Sequence, residues 1–121
     1  MTNTNGIAAI LNANPGKYVV LDLSNSTSLS AIGGGAFYNC STITGIIIPA
    51  NVTSIGMDAF ANCGNLTSVT FKGNIEYSKF DQQSSSPGAY LRMAFYEYNQ
   101  ANGTPGTYTR SSGGTIWTRT Q

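Results

Sequence analysis

The sequence predicts an α/β repeat protein: a short solenoid of stacked coils with parallel strands, a helical lid at its N-terminal end, and a helix plus hairpin closing its C-terminal end. Three observations predict it. First, the chain repeats itself at an offset of 23 residues: Ile32, Gly33, Ala36, Phe37, Asn39 and Cys40 fall on Ile55, Gly56, Ala59, Phe60, Asn62 and Cys63. A period of that size marks a coil that cannot bury its apolar edge alone and must stack on its neighbours. Second, an alternating apolar pair closes each repeat, Ile46/Ile48 and Val69/Phe71, and the same pair stands once more upstream as Leu21/Leu23 at an offset of 25. Third, the period holds to Ile75 and then gives way to a helical pattern and two short strand patterns.

The elements follow in order. Ile7, Ile10 and Leu11 sit at helical spacing within Ile7 to Ala13, before the breaker Asn14-Pro15-Gly16, and read as the lid. Tyr18 to Leu23 alternates as a half-buried strand and opens a degenerate first coil. The next strands are Ile46 to Ile48 and Val69 to Phe71, stacked in parallel because every coil runs the same way. Gly33 and Gly56 are expected to supply a positive φ or a close backbone approach. Phe37 and Phe60 form an inward aromatic column, and Asn39 and Asn62 satisfy backbone groups at a turn. Cys40 and Cys63 share one column, as buried free thiols or, in the alternative reading, as a disulfide. The predicted organisation is one domain: residues 1–28 a leading cap and degenerate coil, 29–75 two full repeats, and 76–121 a C-terminal cap. In that cap Glu76 to Ser86 abandons the period. Ser86-Pro87 starts a helix over Ala89 to Gln100, with Ser86 as its cap, and Thr107 to Arg110 pairs with Thr115 to Arg119 across Ser-Ser-Gly-Gly.

Composition narrows the functions available. Charged residues make up 9% of 121 residues and the net charge is +1, which is not the footprint of a nucleic-acid or polybasic membrane binder. No apolar run approaches the roughly 20 residues needed to span a bilayer, and Met1 to Gly6 lacks the basic-then-apolar pattern of a secretory leader. The absence of histidine closes Ser-His-Asp and Cys-His catalysis and leaves two thiols short of a zinc site. Asp22, Asp58, Glu76, Asp81 and Glu97 lie on different predicted elements without a shared acid–base motif. Gly33-Gly34-Gly35 is not followed by Lys-Ser/Thr and reads as a turn, and the Asn-x-Ser/Thr triplets arise freely in so Asn- and Thr-rich a chain. No catalytic, cofactor or metal residue is therefore expected.

The strings Leu29-Ser-Ala-Ile-Gly-Gly-Gly-Ala-Phe-Tyr-Asn-Cys and Val52-Thr-Ser-Ile-Gly-Met-Asp-Ala-Phe-Ala-Asn-Cys, joined by Ile46-Ile-Ile-Pro-Ala-Asn-Val-Thr, resemble the BspA-like leucine-rich repeats of bacterial surface proteins, the Treponema pallidum type. The tail, a short helix followed by Gly-Thr-Tyr-Thr-Arg and a closing Trp-Thr, also looks like segments appended to spirochaete-type members. The resemblance implies a right-handed solenoid with strands along one concave side. It also implies a location on or outside the cell and binding to host matrix proteins or other cells, and it defines no individual binding residue.

What remains for function is surface. Val20, Asp22, Gly45, Ile47, Ser68, Thr70 and Lys72 flank the inward residues and are expected to face solvent, with Ile47 and Val20 side by side as a small apolar stripe. The expected function is non-enzymatic binding of a protein or glycan on this face, without nucleic acid or membrane insertion; the alternative is a structural module that stacks with other copies. Tyr90, Tyr96, Tyr98, Tyr108 and Trp117 are expected mainly to pack as the cap, their other use being an interface.

Overall fold

The computed structural model describes residues 18–120, and the helix read over Ile7 to Ala13 lies outside them. Three strands of the repeat, β1 (Val19–Asp22), β3 (Ile43–Ile48) and β5 (Ser68–Phe71), lie side by side in parallel. Leu21 pairs with Ile46 and Ile46 with Val69, so the offsets of 25 and 23 read from the sequence are the strand registers. A second pair of short strands, β2 (Ala31–Ile32) and β4 (Ser54–Ile55), runs parallel on the same 23-residue offset. β6 (Gly106–Thr109) and β7 (Thr118–Arg119) extend the larger sheet antiparallel, giving the order β1-β3-β5-β6-β7.

The core lies between the two sets of strands. Leu23, Ile46, Ile48, Val69 and Phe71 point into it from the large sheet, and Ile32 and Ile55 from the small one. Phe37 and Phe60 stack with ring centroids 6.0 Å apart and planes 9° from parallel, both wholly buried. Between these layers the loops bond unit to unit. The amides of Gly35, Phe37 and Asn39 donate to the carbonyls of Met57, Ala59 and Ala61 at 2.9, 2.9 and 3.0 Å.

That ladder explains the repeated Asn. Asn39 and Asn62 hold φ of 59° and 58°, a left-handed backbone that asparagine tolerates better than most residues. Backbone conformation, more than side-chain bonding to the backbone, is what their position demands; Asn62 Oδ1 accepts from the Ser85 hydroxyl at 3.2 Å. Gly35 and Asp58 form a second such pair, at φ 66° and 58°. Gly33 and Gly56 have no positive φ. Gly56 is needed for close approach, since a Cβ there would lie 2.3 Å from the amide nitrogen of Gly34. The triple glycine is thus a turn. Both cysteines are buried free thiols, Cys63 Sγ donating to the Phe37 carbonyl at 2.8 Å.

After Ile75 the sequence period ends, yet the chain stays docked on the stack. Phe80 bridges Ile55 in parallel, Asp81 N donates to Ile55 O at 2.8 Å and Asn62 N donates to Ser86 O at 3.1 Å. Phe60 N has no carbonyl of the kind that serves Phe37. It donates instead to the side-chain Oε1 of Gln83 at 3.0 Å, while Gln83 Nε2 donates to Gly56 O and Asp81 O at 3.0 and 2.9 Å. A glutamine amide stands in for a missing peptide group.

The cap differs from expectation in its helix. α1 runs Gly88–Phe95, not to Gln100, and its N-cap is Pro87 without a side-chain bond, so Ser86 does not cap it. It stops because the chain turns beneath the core: Tyr96 Oη donates to Ile75 O at 2.7 Å, and Asn99 Oδ1 accepts from the amides of Ala101 and Asn102. Gly103 then passes Phe95 so closely that a Cβ would lie 2.1 Å from the ring, at a φ of 75°. Phe95 stacks on Phe71 at 4.1 Å, with Phe80, Tyr96 and Tyr108 around them. Arg110 lies past the strand rather than in it, buried, its guanidinium donating to the carbonyls of Leu66, Gly64, Cys63 and Gly114. Burial pulls its pKa down, and the ring of Trp117 lies 5.5 Å away.

Candidate interaction face

The outward side of the large sheet is built by alternation. Since Leu21, Ile46, Val69 and Tyr108 turn inward, the residues one step on turn outward. The registers then set Asp22, Ile47, Thr70 and Thr107 in one row across four strands, and Val20, Gly45, Ser68, Thr109 and Thr118 in a second row across five.

In the first row Ile47 is half-buried between Asp22 and Thr70. Ser24 donates to Asp22 Oδ1 from its amide at 2.9 Å and also from its hydroxyl, which together hold the Asp22 carboxyl below the ordinary carboxylate range, with a smaller contribution from the Lys72 charge. Lys72 itself is exposed and anchored by its amide to Ile48 O at 3.0 Å. The hydroxyls of Thr70 and Thr107 bond each other at 2.9 Å across the β5–β6 junction. In the second row Gly45 is buried. Val20, 64% exposed, lies over it, with both Cγ atoms 3.4 Å from where a Cβ would stand.

Two expectations are corrected here. Gly45 does not face solvent, because it has no side chain and Val20 covers it. Val20 and Ile47 are not directly opposite: the register that brings Leu21 onto Ile46 carries Val20 onto Gly45 and Asp22 onto Ile47, so the two stand diagonally on adjacent strands. Missing from the sequence reading were Thr107, Thr109 and Thr118. The alternation Thr107-Tyr108-Thr109 was the signal available, and only the pairing of β6 with β5 joins it to this face.

The face offers hydroxyls, one carboxylate and one amine around an aliphatic side chain, an arrangement suited to complementary contact and hydrogen bonding. The carboxylates are dispersed: Asp58 Oδ1 accepts from Ser84 N at 2.6 Å and Glu76 Oε1 from the Ser78 hydroxyl at 2.8 Å. Among the described residues no three His, Cys, Asp or Glu side chains gather closely enough to hold a metal, and no helix is long and apolar enough to cross a membrane. Of the aromatics expected to pack as the cap, Tyr96, Tyr108 and Trp117 are buried, while Tyr90 and Tyr98 are exposed.

Stacked parallel strands on a 23-residue register define a repeat protein. Residues 19–86, more than half the chain, match the BspA type leucine rich repeat region (6 copies), and the chain belongs to that family. Leucine-rich repeats are typically non-enzymatic and generally mediate protein interactions. No curated protein and no solved structure matches the chain.

Proposed function

We propose that this chain is a non-enzymatic recognition module: a right-handed leucine-rich repeat solenoid, working on or outside the cell, that presents the outward side of its strands to a protein or glycan partner. Within it, residues 29–75 are two full repeats and residues 76–121 the cap. The reading is carried by one observation, the row in which a half-buried Ile47 sits between an exposed Asp22 and a half-buried Thr70 on the outward side of the sheet. An aliphatic contact framed by polar groups that orient a ligand is the make-up of a small interface centre. Membership of a leucine-rich repeat family supports the same reading.

The test is binding of the purified chain to an array of matrix proteins and glycans, beside the double variant Ile47→Asp, Thr70→Asp. Selective binding that the variant loses, with its circular dichroism and melting unchanged, is the expected result. No binding above background, together with a solution mass above that of one chain, would replace recognition by self-assembly.

A further inference from the structure

We propose that the C-terminal cap carries a second binding site, distinct from the strand face, which takes an uncharged oligosaccharide. Arg119 lies opposite Tyr108 in register and so shares the inner side of the sheet. At β7 that side runs out beyond the core, leaving a cleft of about 360 Å³ between the hairpin and the end of α1, lined by Glu97, Tyr98, Trp117 and Arg119 among others. Ala94 and Glu97 line it too, and they also line a second, shallower hollow of about 490 Å³ together with Tyr90, Met93 and Gln100. The two hollows thus have Ala94 and Glu97 in common. Each is within the size range of small-molecule sites.

The chemistry of the walls selects the ligand. Among the described residues the Glu97 carboxylate accepts no hydrogen bond, and Arg119 spends only its Nε, on Pro105 O at 2.8 Å. The two opposite charges flank one cleft without forming an ion pair. Burial raises the pKa of the Tyr108 hydroxyl, and the smaller influences of Arg119, which lowers it, and of Glu97 and Tyr98, which raise it, are in keeping with their convergence there. A ligand hydroxyl satisfies both charged groups, donating to Glu97 and accepting from Arg119. Tyr98, 75% exposed, lines the first hollow and Tyr90, 42% exposed, the second, so each brings an aromatic ring to a lining that also holds Glu97. A pyranose has the matching form, an apolar C–H face rimmed by hydroxyls. Because the charges at the cleft cancel, sulfated or carboxylated sugars gain no net attraction.

The chain's only tryptophan, Trp117, lies in this cleft and reports on it directly. We would screen neutral, sialylated and sulfated glycans on an array, then titrate the full chain with maltose, lactose, cellobiose and chitobiose while following Trp117 emission. A saturable change with a neutral sugar is expected. Tyr98→Ala and Glu97→Gln, both at exposed positions, should each weaken it about tenfold, while Ile47→Asp, Thr70→Asp leaves it unchanged. Emission unmoved by every neutral sugar, a response only to charged glycans, free amino acids or short peptides, or unaltered affinity in both cap variants would each overturn the proposal. Failure of the strand-face test alone would leave it standing.

Discussion

Replacing Gln83 tests how the stack continues after its sequence period has ended. The Phe60 amide is wholly buried and its acceptor is the Gln83 side chain, at 3.0 Å. Gln83→Leu keeps the bulk and removes that acceptor, leaving an orphan buried donor at a cost of about 1–3 kcal/mol. It also strips a donor from the partly buried carbonyl of Gly56, while Asp81 is exposed and its carbonyl can turn to water. The sum is about 2–4 kcal/mol, or a melting point lowered by roughly 8–16 °C for a domain of this size. Urea denaturation followed by Trp117 fluorescence and circular dichroism measures it, and amide hydrogen exchange at Phe60 locates it. Ser84→Ala is the control: the Ser84 amide, not its hydroxyl, bonds Asp58, so the change should stay within about 0.5 kcal/mol of wild type. A Gln83→Leu variant equally close to wild type, with Phe60 still protected, would refute the claim that the amide replaces a peptide group.

Three further outcomes follow from the same packing. Phe60→Ala empties a fully buried site stacked on Phe37 and should cost about 3–5 kcal/mol by equilibrium denaturation. Gly103→Ala combines a left-handed φ with a Cβ 2.1 Å from the Phe95 ring; strain and overpacking together should cost about 2–5 kcal/mol, read as a lowered urea midpoint. Burial pushes the Cys63 thiol up to about 12, whereas an unfolded thiol titrates near 8.5. Its contribution is therefore complete below about pH 8.5 and declines by about 1.4 kcal/mol per unit as the unfolded state alone loses its proton. Cys63→Ser should flatten that decline between about pH 8.5 and 10, before the tyrosines join it.

What was legible in the sequence was whatever the stack imposes on every unit alike. Phe37 and Phe60, Cys40 and Cys63, Ile46 and Val69 meet the same surroundings one unit apart, so identity or close likeness at a fixed offset betrays them. Gln83 has no counterpart to repeat, since its role is to replace a backbone group with a side chain, and no periodicity can show that. The shortened helix was hidden for a related reason. Leu91/Phe95 and Ala94/Tyr98 keep helical spacing through the point where Tyr96 and Asn99 divert the backbone by bonds to distant groups and to the turn itself. The strand face was half legible: alternation gave the outward residues within β3 and β5, but the neighbours across strands depended on registers, and the extension by Thr107 and Thr109 depended on which edge the hairpin would join.

That choice of edge bears on the competing view that the units serve to stack with other copies. A parallel edge invites another coil of the same kind, because its free amides and carbonyls match the next repeat. At β5 that edge is taken by β6, which runs antiparallel and hands on to β7, a strand of two residues. Neither β6 nor β7 offers the register that Ile46 offers Val69. Phe71, which would face the next coil, is closed off by Phe80, Phe95 and Tyr108. A further 23-residue coil laid against this end would have to displace the hairpin and open the aromatic cluster, losing several rings worth about 1.5–3 kcal/mol each in burial. Growth in that direction is thus opposed by the fold, and a cap built so tightly at one end favours a chain that displays its strand face over one that lengthens its stack.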